Sequence, residues 1–163
     1  RKFGMIFFSK ESPLKENRLF LNLGPEPLGK NFNSDYLFKK SRNRNIAIKT
    51  LIMNANIVVG VGNIYASEAL FLAKIKPQKI SKKLTKKNCE DLSKSIKKVL
   101  RKAIKKGGSS INDYINADGE SGYFQYDFNV YGRTSLPCHN CQSDILQIKI
   151  NQRSSFYCKN CQK

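Results

Sequence analysis

The sequence predicts a mainly α-helical domain followed by a small β-hairpin near the C-terminal end of the chain. Between residues 33 and 106, apolar residues recur at steps of three and four, the spacing of amphipathic helices. Two Cys-x-x-Cys pairs then enclose a short segment rich in β-branched residues. A length of 163 residues is enough for one domain and a small appendage.

The first 32 residues are expected to precede this domain. Residues 3–9 are apolar and strand-like, and a polar stretch follows to residue 22. Because the chain begins with Arg1 and its first methionine is Met5, within that strand, we expect a C-terminal fragment of a longer protein. Two prolines then make residues 23–28 a rigid connector at a domain boundary.

Two short helices are expected next. The first covers residues 34–40, with Ser34 as its N-cap. The second begins at Asn45 or Ile46 and ends at Met53, and three residues form its apolar side: Ile48, Leu51 and Ile52.

A third and a fourth helix complete the predicted domain. Residues 64–73 have helical spacing, with Asn63 as a favourable N-cap. Thr85 caps a long helix to about Lys106, and its apolar stripe includes Cys89, which we expect to be a buried small hydrophobe. Its opposite face is rich in lysine, and ordinary solvation is the simpler explanation for that face.

The stretch after the long helix is expected to be irregular. Gly107 and Gly108 end the helix, and Ser110 caps a further short one. A loop rich in Asn, Asp and Gly extends to Gly122, and strand-like residues 124–131 lead into the hairpin.

The paired cysteines predict a structural zinc site. Sixteen residues separate the two pairs, and four thiolates at such spacing suit a tetrahedral Zn²⁺ ion: Cys138, Cys141, Cys158 and Cys161. A hairpin of about 25 residues is too small to fold without such support. Asn151 and Gln152 can form its turn. Two disulfides are the alternative, but nothing else in the sequence indicates secretion.

The charge predicts a polyanionic partner. Lysine and arginine number 30 against 12 acidic residues, a formal net charge of +18. Nucleic acid is the commonest polyanion for such a chain, although the lysine bias of a low-GC genome explains part of the excess. No stretch is long and apolar enough to cross a bilayer.

Two places in the sequence can contact phosphate. Gly60-Val-Gly-Asn63 precedes a helix, and the free N–H groups of a helix N-terminus bind anions, although Gly-x-Gly is also common as a plain turn. Arg153, beside the predicted hairpin turn, can reach a phosphate or can simply be exposed. The only histidine is His139, between two zinc ligands, and no catalytic carboxylate pair is evident. The residues alone therefore indicate a zinc-containing DNA- or RNA-binding unit and not a complete enzyme.

Five motifs occur in one order: Leu23-Gly-Pro-Glu-Pro-Leu28, Gly60-Val-Gly-Asn-Ile-Tyr-Ala-Ser-Glu68, Gly122-Tyr-Phe-Gln125, Val130-Tyr-Gly-Arg133, and the cysteine pairs ending in Cys161-Gln-Lys163. Together they resemble the formamidopyrimidine-DNA glycosylase family, bacterial base-excision enzymes for 8-oxoguanine and ring-opened purines. The resemblance implies the end of an N-terminal β-sandwich, including a remnant strand, in residues 1–22, and a linker in 23–32. It further implies a helix–two-turns–helix DNA-binding domain with a lesion-capping loop in 33–125 and a zinc-finger β-hairpin in 126–163.

The resemblance also implies roles for single residues. Arg1 and Phe3 would fill the gap left by a flipped nucleotide. Residues 115–125 would close over the everted base. Arg153 would hold the phosphates that flank the lesion and assist the final elimination, which makes it the candidate catalytic residue. Four further residues would contact or lie near the DNA backbone: Arg44, Lys49, Asn63 and Tyr131.

The family's attacking group is the amine of an N-terminal proline, followed by a glutamate, and neither can be assigned in this chain. We therefore expect the fragment to be inactive alone, whereas the full-length protein would excise the base through a Schiff base and cleave the strand by β,δ-elimination. We expect a monomer in the bacterial cytoplasm, bound to damaged double-stranded DNA and carrying one structural Zn²⁺. The alternatives are an endonuclease VIII-type glycosylase for oxidised pyrimidines and a non-catalytic zinc-ribbon protein that binds nucleic acid.

Overall fold

A helical domain and one β-hairpin make up the structure, a computed structural model that describes residues 18–108 and 127–163. Within these ranges the hairpin consists of β1 (Ile145–Ile150) and β2 (Arg153–Cys158). The helices are α1 (Arg18–Leu21), α2 (Ser34–Ser41), α3 (Ile48–Ile52), α4 (Asn63–Leu72) and α5 (Lys86–Lys105), with a 3-10 turn at Ser81–Lys83. The predicted mainly α fold with a C-terminal hairpin is confirmed. The remnant strand at 3–9, the helix at Ser110 and the loop at 115–125 lie outside the described residues.

Helix α5 organises the larger core, and α2 and α4 pack against it. Its predicted cap is confirmed, because Thr85 Oγ1 accepts a hydrogen bond from the N–H of Asn88 at 3.0 Å. Its predicted end is also confirmed, since Gly107 and Gly108 adopt φ angles of 70° and 92°. The apolar stripe is buried as predicted: Cys89, Leu92, Ile96, Val99, Leu100 and Ala103. Among the described helices, none combines the length and the apolar character that crossing a bilayer requires.

Two predicted N-caps and one predicted helix start were wrong. Asn33, not Ser34, caps α2, and its Oδ1 accepts from the N–H of Tyr36 at 2.9 Å. Gly62 is the N-cap of α4, so Asn63 is the first helical residue and its side chain makes no capping bond. Helix α3 begins only at Ile48, because the preceding residue forms an antiparallel bridge with the segment before α5.

The connector before α2 is packed against the helical domain. The N–H of Gly24 donates to the carbonyl of Ala55 at 2.7 Å. A Cβ at Gly24 would lie 2.4 Å from the carbonyl carbon of Ile57, so only glycine allows this approach. The segment that we predicted as the linker 23–32 thus lies against the turns between α3 and α4. The short helix α1 was not predicted.

The hairpin has the predicted turn. Asn151 and Gln152 join the strands with φ angles of 46° and 59°, as a two-residue turn that matches strand twist requires. The predicted strand over 124–131 is wrong in its described part, where residues 127–131 form no strand. Three backbone N–H groups of this stretch donate instead to the carboxylate of Glu68.

Candidate nucleic-acid interface and metal centre

Four cysteine sulfurs converge beside the hairpin. The Sγ atoms of Cys138, Cys141, Cys158 and Cys161 all lie within 4.8 Å of one another. The Cys141–Cys158 distance is 3.4 Å and the Cys138–Cys161 distance is 3.8 Å. Tetrahedral zinc with Zn–S bonds of about 2.3 Å needs sulfurs about 3.8 Å apart. The cysteines are free thiols, so the disulfide alternative fails and the predicted Zn²⁺ site is confirmed.

Tight turns aim the sulfurs at one point. In the first pair, the N–H of Gln142 donates to the carbonyl of Cys138 at 2.9 Å. In the second, the N–H of Cys158 donates to Oε1 of Gln162 at 2.9 Å. A backbone hydrogen bond from Ser143 lowers the pKa of Cys141 to about 6, whereas burial raises the pKa of Cys161 to about 12. A Zn²⁺ ion held by these four cysteines would keep their thiols as thiolates and would join the two Cys-x-x-Cys turns.

Asn63 and Tyr131 meet at the N-terminus of α4. Asn63 Nδ2 donates to the hydroxyl of Tyr131 at 3.4 Å. Asn63 Oδ1 is buried and makes no hydrogen bond within the described part of the chain. The ring of Tyr131 is fixed edge-on between Phe128 and Phe156, at centroid distances of 5.6 and 4.9 Å. The Asn63 amide and the Tyr131 hydroxyl therefore lie beside the N-terminus of a helix, an arrangement that can bind an anion.

A second group of polar residues lines a cleft of about 280 Å³ between α3 and the hairpin. Arg153 is exposed at its edge, on the first residue of β2. Lys49 lines the same cleft but is only 1% exposed, because its Nζ donates to the carbonyl of Ser154 and to Ser155 Oγ, both at 2.8 Å. Burial, and then the charge of Arg153, lower the pKa of Lys49 to about 8. Two cationic groups in one cleft favour an anionic ligand.

The other predicted DNA-binding residues are not brought into this arrangement. Arg44 is exposed in the loop before α3, where its carbonyl accepts from the N–H of Lys82, and it is not among the described residues that line the cleft. Arg1 and Phe3 lie outside the described residues. Sequence reasoning missed the buried carboxylate of Glu68, which joins α4 to residues 129–131. The available signal was a charged residue within a helix that is otherwise mostly apolar.

Comparisons with known families agree with this architecture. Residues 23–114 match the family described as the formamidopyrimidine-DNA glycosylase H2TH domain, which is more than half of the chain. Residues 135–163 match the zinc finger found in FPG and IleRS. The two matched segments contain the α4 N-terminus and the four cysteines, respectively.

Several curated relatives align with the whole of this chain. Proteins named formamidopyrimidine-DNA glycosylase from Histophilus somni and Thioalkalivibrio sulfidiphilus are 50% and 48% identical over all 163 residues. The chain spans about 60% of the length of these curated relatives.

Solved structures match as well. The MutM (Fpg) protein from Thermus thermophilus superposes with a TM-score of 0.85 at 36% identity, covering 91% of this chain and 57% of that one. Lactococcus lactis Fpg in complex with DNA containing an abasic site gives 0.82 at 39%, covering 89% and 53%. These matches, together with the cysteine geometry and the α4 N-terminus, show that the chain belongs to the formamidopyrimidine-DNA glycosylase family.

Proposed function

We propose that this chain is the DNA-binding C-terminal part of a bifunctional DNA glycosylase and AP lyase. The full-length protein would remove 8-oxoguanine and formamidopyrimidines from duplex DNA and then nick the strand by β,δ-elimination. The names of the relatives and the abasic-DNA complex of Lactococcus lactis Fpg support this proposal over an endonuclease VIII-type enzyme. As the resemblance implies, it would act as a monomer on chromosomal DNA in the bacterial cytoplasm.

The observation that carries the proposal is the meeting of Asn63 with Tyr131 at the start of α4. Asn63 places its side-chain amide beside the start of this helix, where backbone N–H groups can bind an anion. Tyr131 contacts Phe156 of β2, and the same strand begins with Arg153. Contacts through Tyr131 therefore connect the hydrogen-bond donor of Asn63 in the helical domain with the strand that carries Arg153. Donors held in this way suit a ligand with several adjacent phosphates.

Each predicted site residue has a proposed role. Arg153 would hold the phosphates next to the lesion and assist the last elimination step, while Asn63 and Tyr131 would bind a neighbouring phosphate. Lys49 would supply charge from within the cleft, and Arg44 would lie near the DNA backbone farther along. In the full-length protein, Arg1 and Phe3 would fill the space of the everted nucleotide and residues 115–125 would cover its base.

Zinc would have a structural role in this scheme. It would hold the hairpin in one conformation, so that Arg153 is presented on a rigid strand. For the domain limits we propose 1–22 for the end of the β-sandwich, 23–32 for a packed connector, 33–125 for the helix–two-turns–helix domain and 126–163 for the zinc finger.

A gel assay on an 8-oxoguanine:cytosine duplex tests the proposal. The 163-residue chain alone should neither excise the base nor form an adduct that borohydride traps, because residue 1 is Arg and not proline. The longer protein, with its upstream half restored, should do both. In that protein, Arg153→Ala should weaken lesion binding and the second strand cut.

The matched control is Arg101→Ala, since Arg101 is an exposed arginine on α5 away from the cleft. It should leave both activities unchanged. Efficient turnover by the 163-residue chain would contradict the proposed placement of the nucleophile upstream of Arg1.

A further inference from the structure

Glu68 is a buried carboxylate that binds three consecutive residues of the segment before the zinc finger. It is 1% exposed and lies on α4. Its Oε1 accepts from the N–H groups of Val130 and Tyr131, both at 2.9 Å. Its Oε2 accepts from the N–H of Asn129 at 2.9 Å and from Asn129 Nδ2 at 2.8 Å. Among the described residues, every hydrogen bond that the Glu68 carboxylate accepts therefore comes from one short stretch of chain, 129–131.

In the part of the chain that the structure describes, N–H donors and not a cation satisfy the Glu68 carboxylate. Within residues 18–108 and 127–163, Glu68 forms no salt bridge with a lysine or arginine. A buried ionised carboxylate is costly unless hydrogen bonds satisfy its oxygens. Four donors aimed at two oxygens meet that need, and they lock the backbone of residues 129–131 in one conformation.

This lock determines where the Tyr131 hydroxyl lies. Val130 is fully buried, and the Tyr131 ring is held between two phenylalanines. Its hydroxyl then reaches Asn63 Nδ2 at 3.4 Å. Asn63 is on the same helix as Glu68, five residues earlier, which is a rise of about 7.5 Å. One rigid helix thus contacts both the backbone and the hydroxyl of Tyr131.

We propose that Glu68 is a positioning residue, which aligns the Tyr131 hydroxyl with Asn63 so that the two bind one backbone phosphate as a pair. The inference rests on the proposed DNA-binding function and adds a requirement to it. Glu68 touches no ligand itself, and it acts only through residues 129–131. Loss of the lock should therefore remove the contribution of Tyr131 to DNA binding.

A double-mutant cycle tests the coupling, with a duplex containing a tetrahydrofuran abasic analogue as the probe. Tyr131→Phe should weaken binding about fivefold and Glu68→Gln about tenfold, the size expected for the net loss of a typical hydrogen bond. The double variant should be no weaker than Glu68→Gln, because the hydroxyl is already misplaced. The control is Glu90→Gln, which removes the same charge from the exposed side of α5 and should bind within about twofold of the wild type.

A purely structural role for Glu68 predicts a different pattern. Glu68→Gln would then lower the melting temperature, yet below that temperature Tyr131→Phe would keep its full effect in both backgrounds. Such additivity would overturn the inference while leaving the proposed function intact. If Glu68→Gln fails to retain zinc, the cycle is run with Glu68→Asp, which keeps the charge but withdraws the oxygens by about one methylene. A wild-type chain that does not bind the duplex would overturn the proposed function itself.

Discussion

The ammonium of Lys49 lies 2.8 Å from the carbonyl oxygen of Ser154, and this bond joins α3 to β2 across 105 residues of sequence. Lys49 is almost completely buried there, which an ionised amine tolerates only with good hydrogen-bond partners. Arg153 precedes Ser154 on the strand, so the bond also fixes the base of the arginine proposed to contact DNA. The helical domain and the zinc finger therefore share one polar junction at the cleft.

DNA binding should become pH-dependent above pH 8 because of this junction. Burial holds the pKa of Lys49 at about 8, and a phosphate bound in the cleft would raise it. Below about pH 8 both free and bound protein carry the proton, whereas above it binding takes up a proton and affinity falls by up to about tenfold per pH unit. Calorimetry at about pH 8.5 in two buffers of different ionisation enthalpy measures the uptake.

Two variants test whether Lys49, and not another lysine, accounts for the proton uptake. Lys49→Met should abolish the proton uptake, and Lys98→Met, on the exposed face of α5, should preserve it. Equal uptake by all three proteins would show that another group titrates.

The chain should contain one tightly bound zinc. Cys158→Ala should retain less than about half an equivalent of metal and lose the hairpin fold, because structural zinc contributes on the order of 10 kcal/mol to such sites. Cys89→Ala is the matched control, since Cys89 is a buried cysteine outside the cluster and should leave the metal in place. Elemental analysis of freshly purified proteins measures both. Loss of zinc from Cys89→Ala but not from Cys158→Ala would refute the assignment.

Gly24→Ala should destabilise the helical domain strongly. The new Cβ would lie 2.4 Å from the carbonyl carbon of Ile57. Backbone atoms cannot move away from such a contact as the end of a flexible side chain can. We expect a loss of about 2 kcal/mol or more in the free energy of unfolding. At Gly29 the nearest atom to an added Cβ is 3.3 Å away, so Gly29→Ala should cost much less. Urea titrations compare the two, and equal losses would mean that the connector does not pack as described.

Asn63→Ala should weaken binding to intact and lesion-containing duplexes alike, by about tenfold. Phosphate contacts position a protein on DNA but carry no base information. Alanine favours helix, so α4 should persist. Asn45→Ala, in an exposed loop, is the control and should have no effect. A loss confined to lesion DNA would contradict a phosphate contact.

Local signals in the sequence were sufficient for part of this structure. The apolar stripe of α5, its Thr85 cap and the paired cysteines each depend on residues close together in the chain, and all three predictions are confirmed. The resemblance to the family was likewise confirmed by matches to both segments.

The features that could not be predicted from the sequence depend on contacts between residues that are far apart in the chain. Helix α3 starts late because Ala47 pairs with Ile80. The stretch before the hairpin is no strand, because its N–H groups bind Glu68, some 60 residues earlier along the chain. Lys49 was predicted only as a residue near the DNA backbone, and its burial depends on a partner in β2 that no local pattern indicates.

The salt dependence of DNA binding tests the central claim most directly. The chain should be titrated against a duplex carrying a tetrahydrofuran abasic analogue at several salt concentrations. If about five to seven phosphates are contacted, log K against log salt should fall with a slope of roughly −4 to −6. A slope near zero, or no measurable binding at low salt, would contradict the account of this chain as the DNA-binding part of a glycosylase.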